Sequence, residues 1–215
     1  MSEFSVEHFI SNICLRTKKN LNYIDETNQK DKSVYELTQL INSLFALLIM
    51  PVEKYKSIND GYEPNAKKYK EYKDIESIIN ECKKNKFYRS TYTEDYKYPV
   101  TWFIRHIRNA LAHSGDQGIH FIPLQEKKDI KYIIFYDTQK KNLKGQEIEC
   151  FFCVKLSIIQ IHNLAIKISE LYANIENESK NKITEQLYNN EIDTLKRFLE
   201  SGEEPKDLKR NNKKK

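Results

Sequence analysis

A mainly α-helical fold carrying a small antiparallel β insertion is what this 215-residue chain predicts, on three observations. Glycine and proline are scarce, five of each, while Lys, Glu, Leu, Ile and Asn abound, which favours helix over a turn-rich β architecture. Apolar residues recur at helical spacing through several long stretches. Between about residues 119 and 155 the pattern changes to the two-residue alternation of strands, as in IHF and YIIFY. The length suits one sizeable core and is short for two ordinary domains. Residues 1–200 therefore read as a single domain and 201–215 as a basic, disordered tail.

The first helix is expected over residues 4 to about 26, with Val6, Ile10, Cys14, Thr17, Leu21 and Ile24 along one face and polar residues from Asp25 to Asp31 breaking it. Ser33 and Glu36 then form a capping box, the serine oxygen accepting from one orphan amide and the glutamate reaching back to another. The second helix carries Leu37, Ile41, Leu44 and Leu48, and Pro51 marks its end. Glu36, Gln39 and Asn42 read as a cap and an exposed edge in preference to polar support for a site. Lys54 to Lys73 is a surface connection with a little helix, and a third helix follows from about Asp74 to Lys84.

Phe87 to Tyr98 interleaves Tyr88, Tyr92, Tyr96 and Tyr98 with Lys86, Arg89 and Lys97. Such a pattern can stack and neutralise single-stranded RNA, but packing of a loop against the body is the preferred reading. Pro99 suits the first turn of the next helix, whose apolar positions Val100, Phe103, Ile104, Ile107 and Leu111 make a core stripe. Ser114, Gly115 and Asp116 supply its stop signal. Three short strands, Ile119 to Leu124, Lys131 to Asp137 and Glu147 to Lys155, precede a helix from about Ser157 to Ala173. A last amphipathic helix spans Lys182 to Leu199.

Charge and cysteine content narrow the functional classes. The formal charge of +5 resides in the tail, where six basic residues from Lys206 to Lys215 face only Asp207. Such a tail attracts nucleic acid or an acidic surface without sequence preference, and a solvated terminus is its simpler reading. Ser2 to Glu7 is polar and no cleavable apolar run follows, so no secretory signal is expected and a cytoplasmic location is the default. Cys14, Cys82, Cys150 and Cys153 are read as buried free thiols. The CxxC of Cys150 and Cys153 falls in a strand, where residues three apart face opposite sides. The longest apolar stretch, Leu44 to Met50, is too short to span a bilayer. Neither a membrane partner, a metal nor a cofactor is expected.

The chemistry concentrates in RHIRNALAHS, Arg105 to Ser114. At ~100° per residue Arg108 and His113 lie about 140° apart on a regular helix with Asn109 between them, and His113 at the helix end is free of that constraint. A guanidinium, an amide and an imidazole suit a phosphate: Arg offers a permanently charged fork of donors, and His exchanges a proton near neutrality. Arg105 and His106 lie near the same polar arc and are candidates for substrate contacts. His8, His120 and His162 read as ordinary surface or core residues. The bland reading of the motif is a decorated helix terminus, with His113 near the negative end of the dipole.

The hexapeptide RNALAH resembles the signature of the HEPN superfamily of helical RNA-binding and RNA-cleaving domains, with Arg108, Asn109 and His113 on its arginine, polar and histidine positions. The early segment YELTQLINSLFALLIMP, the β-rich segment after the motif and the closing helix extend that resemblance over most of residues 1–175. It implies a HEPN-like helical bundle with homodimeric packing and metal-independent cleavage of RNA at its own 2′-hydroxyl. Arg108 and His113 would be the catalytic pair and Asn109 their support. A toxin or abortive-infection effector is the implied setting, with an antitoxin or defence-system partner; a noncatalytic RNA-binding or protein-interaction module is the second reading. Ser114 departs from the branch controlled by a nucleotidyltransferase antitoxin, in which a tyrosine follows the histidine.

Overall fold

Apolar stripes decide which helix faces meet. The computed structural model describes residues 9–30, 36–55, 66–92, 98–113, 118–124, 130–143, 146–178, 193 and 196. Helix α1 (Phe9–Lys30) buries Ile10, Cys14 and Leu21, and α2 (Glu36–Tyr55) buries Leu40, Leu44, Leu47 and Leu48. Helix α3 (Lys70–Lys84) contributes Tyr72, Ile75, Ile79 and Cys82. The long α5 (Ile158–Glu178) packs against all three, inserting Ile161, Leu164, Ala165, Ile168 and Leu171. Full burial of such side chains contributes about 1.5–3 kcal/mol each, so the helix bundle rests on these stripes.

Four helix ends differ from expectation. Helix α3 begins at Lys70, ahead of Asp74, where Tyr72 adds a buried side chain to its stripe, and α5 runs past Ala173 to Glu178. Helix α1 continues through the polar run to Lys30, because that run is tied down: Asp25 Oδ2 lies 2.8 Å from His162 Nε2 on α5, Thr27 Oγ1 donates to the Tyr23 carbonyl at 2.7 Å, and Asn28 donates to the Glu36 carboxylate on α2. Helix α2 runs past Pro51 to Tyr55. A proline withholds one backbone donor and crowds the preceding turn, but the helix is already held by its leucine stripe. The serine half of the capping box, the last helix at Lys182 to Leu199 apart from the helical Asp193 and Lys196, and the basic tail lie outside the described residues, as do Val6 and His8.

Helix α3 ends in a Schellman turn. Phe87 N donates to the Cys82 carbonyl at 2.8 Å, Lys86 N donates to that of Lys83 at 3.1 Å, and Lys86 takes the left-handed conformation, φ 58°, more often given to glycine. The turn leads into β1 (Tyr88–Ser90), a three-residue edge strand too short to show alternation and absent from the sequence expectation.

The remaining strands are β2 (Gly118–Pro123), β3 (Ile130–Leu143) and β4 (Gln146–Ser157), which follow α4 (Pro99–Ala112). They form one antiparallel sheet in the order β1-β4-β3-β2. Register pairs Ile133 with Leu156, Phe135 with Val154 and Asp137 with Phe152, and this face is buried. Helix α4 lies against β2 and β3 as well as against α2 and α3, so it is the hinge between bundle and sheet. Strand β3 does not stop at Asp137 as expected. Its polar continuation pairs residue by residue with β4 as far as Leu143 and Gln146, where it runs beyond the covered face and needs no apolar side chains.

The chain fits closely where α4 hands over to β2. Gly118 has φ 123°, and a Cβ there would stand 2.8 Å from the His113 carbonyl oxygen and 3.3 Å from that of Ala110. Gly118→Ala should therefore destabilise the protein by about 1–3 kcal/mol, through backbone strain and the forced shift of one main chain. An unchanged urea midpoint would contradict it.

The α1–α3–α5 contact carries a half-buried ionic cluster. Lys167 Nζ lies 3.2 Å from Asp74 Oδ2 and 3.1 Å from Glu170 Oε2, and Lys18 binds the other Glu170 oxygen. Burial pushes the Glu170 carboxyl up, but hydrogen bonds and charge from Lys18 and Lys167 outweigh it and hold the group below its ordinary value of 4.5. Its folded value being depressed, the stabilisation is complete above the ordinary carboxylate range and is lost as pH falls through the depressed value. Glu170→Gln should cost about 1 kcal/mol at neutral pH, a gap from wild type that closes on acidification. Chemical denaturation of both proteins across pH measures it; a gap that widens in acid would refute the assignment.

Candidate active site

Helix α4 brings the polar motif to the edge of the sheet. Pro99 occupies its first turn, where the missing amide costs nothing, and Trp102 N donates to the Tyr98 carbonyl at 3.0 Å. Val100, Phe103, Ile104, Ile107, Ala110 and Leu111 are buried as the periodicity predicts. Arg108 and Asn109 flank this stripe and are half-buried. The helix ends at Ala112. His113 turns into extended backbone, φ −97° and ψ 154°, with its amide donating to the Asn109 carbonyl at 3.0 Å and its side chain exposed. The proposed stop signal at Ser114 to Asp116 lies outside the described residues.

A chain of side-chain hydrogen bonds runs inward from Arg108. Its Nη1 donates to Asn109 Oδ1 at 3.0 Å, and Asn109 Nδ2 donates to Asp137 Oδ2 at 3.0 Å. The same oxygen lies 2.7 Å from His106 Nδ1. A carboxylate accepts only, so the imidazole proton of this pair sits on Nδ1. Both ends of the His106–Asp137 pair are essentially sealed, with side-chain exposures of 2% and 3%. The His106 ring is stacked on Phe152 at 4.7 Å and lies 4.3 Å from Tyr92 and 5.7 Å from Trp102, centroid to centroid.

The structure therefore brings together Arg108 and Asn109, sets His113 just past their helix with its ring in solvent, and corrects the placement of His106. Expected on the polar arc as a substrate contact, His106 is 1% exposed. It sits at the flank of the Phe103 and Ala110 stripe, and the sheet covers that flank. Arg105 is half-buried with its guanidinium 4.7 Å over the Trp102 ring, a cation–π contact at the protein surface. Asp137 had no part in the expected site. Its signal was there: in YIIFYD the buried register runs Ile133, Phe135, Asp137, and an acid on an apolar register needs a buried partner.

In the described part of the segment before α4 the aromatic side chains pack inward, while the basic Lys86 and Arg89 are exposed. Tyr88 stacks on Phe103 at 6.2 Å and meets Phe152 edge-on at 5.6 Å, while Tyr92 is 1% exposed; Tyr96 and Lys97 lie outside the described residues. Glu36 is engaged by Asn28, and Gln39 and Asn42 are exposed on α2.

The four cysteines are free thiols. Cys150 and Cys153 fall on opposite faces of β4, the first buried on the covered side. Burial, with Glu81 beside it, pushes the Cys82 thiol up to about 11, and burial raises Cys153 against the pull of Arg89. Among the described residues no three His, Cys, Asp or Glu side chains gather into a group able to hold a metal ion. Among the same residues, no helix is long and apolar enough to cross a membrane.

Comparison with known proteins agrees with this architecture. No curated protein and no solved structure shows significant similarity to the chain. The sequence profile of the family described as HEPN pEK499 p136 matches residues 1–179, which takes in every helix and strand from α1 to α5. The chain belongs to the HEPN pEK499 p136 family.

Proposed function

We propose that this protein is a metal-independent endoribonuclease of HEPN type that works as a homodimer. The observation that carries the reading is one helix end at which an exposed His113 follows, five residues on, an Arg108 whose guanidinium is braced through Asn109. In the reaction His113 takes the proton of an RNA 2′-hydroxyl, and the 2′-oxygen bonds to the adjacent phosphorus. Arg108 donates to the phosphoryl oxygens as charge builds on them. The bond from phosphorus to the 5′-oxygen breaks, and that oxygen takes up a proton. A 2′,3′-cyclic phosphate and a 5′-hydroxyl remain.

A single copy provides only one imidazole for two proton transfers. Two motif helices facing each other across a two-fold axis would provide two His113 and two Arg108 around one phosphate, on a self-complementary patch. Repulsion between the paired arginines is relieved by the phosphate itself. A toxin or abortive-infection effector restrained by a protein partner fits such an activity, and Ser114 in place of a modifiable tyrosine argues for control other than nucleotidyl transfer.

Purified protein should cut single-stranded or looped RNA in the presence of a chelator, leaving the cyclic phosphate. Cleavage that vanishes on chelation would point to metal chemistry, and RNA retained without cleavage would favour a noncatalytic binding module. His113→Ala and Arg108→Ala should each lower cleavage by about 10²–10⁴-fold. Neither belongs to the buried stripe, so circular dichroism should show both variants folded, with melting at the wild-type temperature for the exposed His113 and somewhat lower for the half-buried Arg108; near-normal activity in either folded variant would remove it from the site.

The dimer is tested separately. Light scattering over a range of concentrations should give twice the chain mass, and His113→Ala subunits mixed with wild type should give dimers of reduced activity. A monomer with full ribonuclease activity would defeat the shared site.

A further inference from the structure

We propose that Asp137, held by His106, is a positioning residue for Arg108: its carboxylate fixes the Asn109 amide, and the amide fixes the guanidinium. This rests on the ribonuclease reading only in assigning Arg108 to a phosphate. The placement itself follows from donor and acceptor chemistry. Asn109 can turn its amide two ways about the terminal torsion, and the two are close to equal in shape. As placed, Nδ2 faces the Asp137 acceptor and Oδ1 faces the Arg108 donor, at 3.0 Å each. Turned over, oxygen would face carboxylate and nitrogen would face guanidinium, so both contacts would become repulsive at once. One of two orientations survives, and an arginine side chain rich in rotamers gains a fixed acceptor.

The carboxylate has little freedom of its own. Asp137 sits on the covered face of β3 in register with Phe152, and His106 Nδ1 binds the same Oδ2 that Asn109 uses. Tyr92, Trp102 and Phe152 surround that imidazole. The orientation of a half-buried arginine is thus referred back to a sealed pair in the core, and the β insertion becomes part of the site through a buried side chain.

Because both hydrogen bonds end on one oxygen, Asp137→Asn can keep them with its amide oxygen in that place, whereas Asp137→Ala loses both. Cleavage should fall about 10–100-fold in Asp137→Ala, the scale of a misplaced reacting group, and stay within about threefold of wild type in Asp137→Asn. Asp137→Ala also strands the His106 donor; if it fails to fold, Asp137→Ser, with an acceptor too short to serve both donors, takes its place. A general loss of stability would mimic the first result, so the deciding measurement is a cycle with Asn109→Ala. If Asp137 acts through Asn109, adding the Asp137 change to Asn109→Ala costs no further activity; additive losses would overturn the proposal.

A second arm needs no RNA. Nitrogen-edited NMR of the full chain should show dispersed Asn109 side-chain amide and Arg108 guanidinium signals that collapse toward free-residue positions in the alanine or serine variant and persist in Asp137→Asn. Signals unmoved by loss of the carboxylate would overturn the positioning role. A wild-type protein that cuts no RNA would instead count against the ribonuclease reading and leave this arm to decide the placement.

Discussion

A carboxylate cannot be taken out of water without donors to meet it, and in this fold the carboxylate is Asp137. Both donors that meet its Oδ2 come from one helix, His106 and Asn109 of α4, three residues apart and hence on neighbouring positions of the same face. That pairing fixes the rotation of α4 about its axis as well as its distance from the sheet. Apolar packing by Phe103, Ile107 and Ala110 tolerates small rotations, whereas hydrogen bonds of 2.7 and 3.0 Å to one oxygen do not. Removing one partner from such a sealed pair typically costs about 3–5 kcal/mol, as much as truncating a buried leucine of the stripes.

The same helix is held at its end by the start of the sheet. Gly118 approaches the His113 and Ala110 carbonyls so closely that a side chain would not fit, and it pairs in turn with Tyr136, the neighbour of Asp137. Two adjacent residues of β3 therefore relate both ends of the polar motif: Asp137 through Asn109, and Tyr136 through Gly118 to the turn at His113. The bundle on the other side supplies apolar burial through α2 and α3. A small antiparallel sheet that looks appended to a helical domain is in this way the reference frame for the helix that carries the charges.

How much of this was legible in the sequence follows from which forces leave periodic traces. Burial does, and the stripes of α1, α2, α4 and α5 and the alternation in the covered parts of β3 and β4 are readable from spacing, whereas β2 has no alternating burial, with Phe121 exposed. Side-chain ties that let a polar segment stay helical leave none: nothing in DETNQK announces that Asp25 will meet His162 some 137 residues later. Strand β1 has three residues and the outer half of β3 has no covered face, so neither carries an apolar code. The site divides the same way. Arg108, Asn109 and His113 are local and were found as a motif, while Asp137 is reached only through tertiary pairing. Its one trace, an acid on the buried register of YIIFYD, stands at the last residue of the expected strand, where a polar side chain attracts no notice.

The two histidines of the motif helix show why spacing alone misassigns roles. Seven residues separate His106 from His113, so on a regular helix the two point within about 20° of each other, about 10 Å apart along the axis. A helical wheel gives them one role, and on it both belong to the polar arc. The structure gives them opposite ones, because the sheet covers the helix flank at His106 and the helix has ended before His113. The first imidazole is committed to Asp137 inside an aromatic box, where it has no access to a substrate. The second is in solvent on extended backbone, released from the helical rotation that would have turned it to the same side. Cover by the sheet and the length of the helix, more than direction on the wheel, separate the histidine buried against Asp137 from the one left open to solvent.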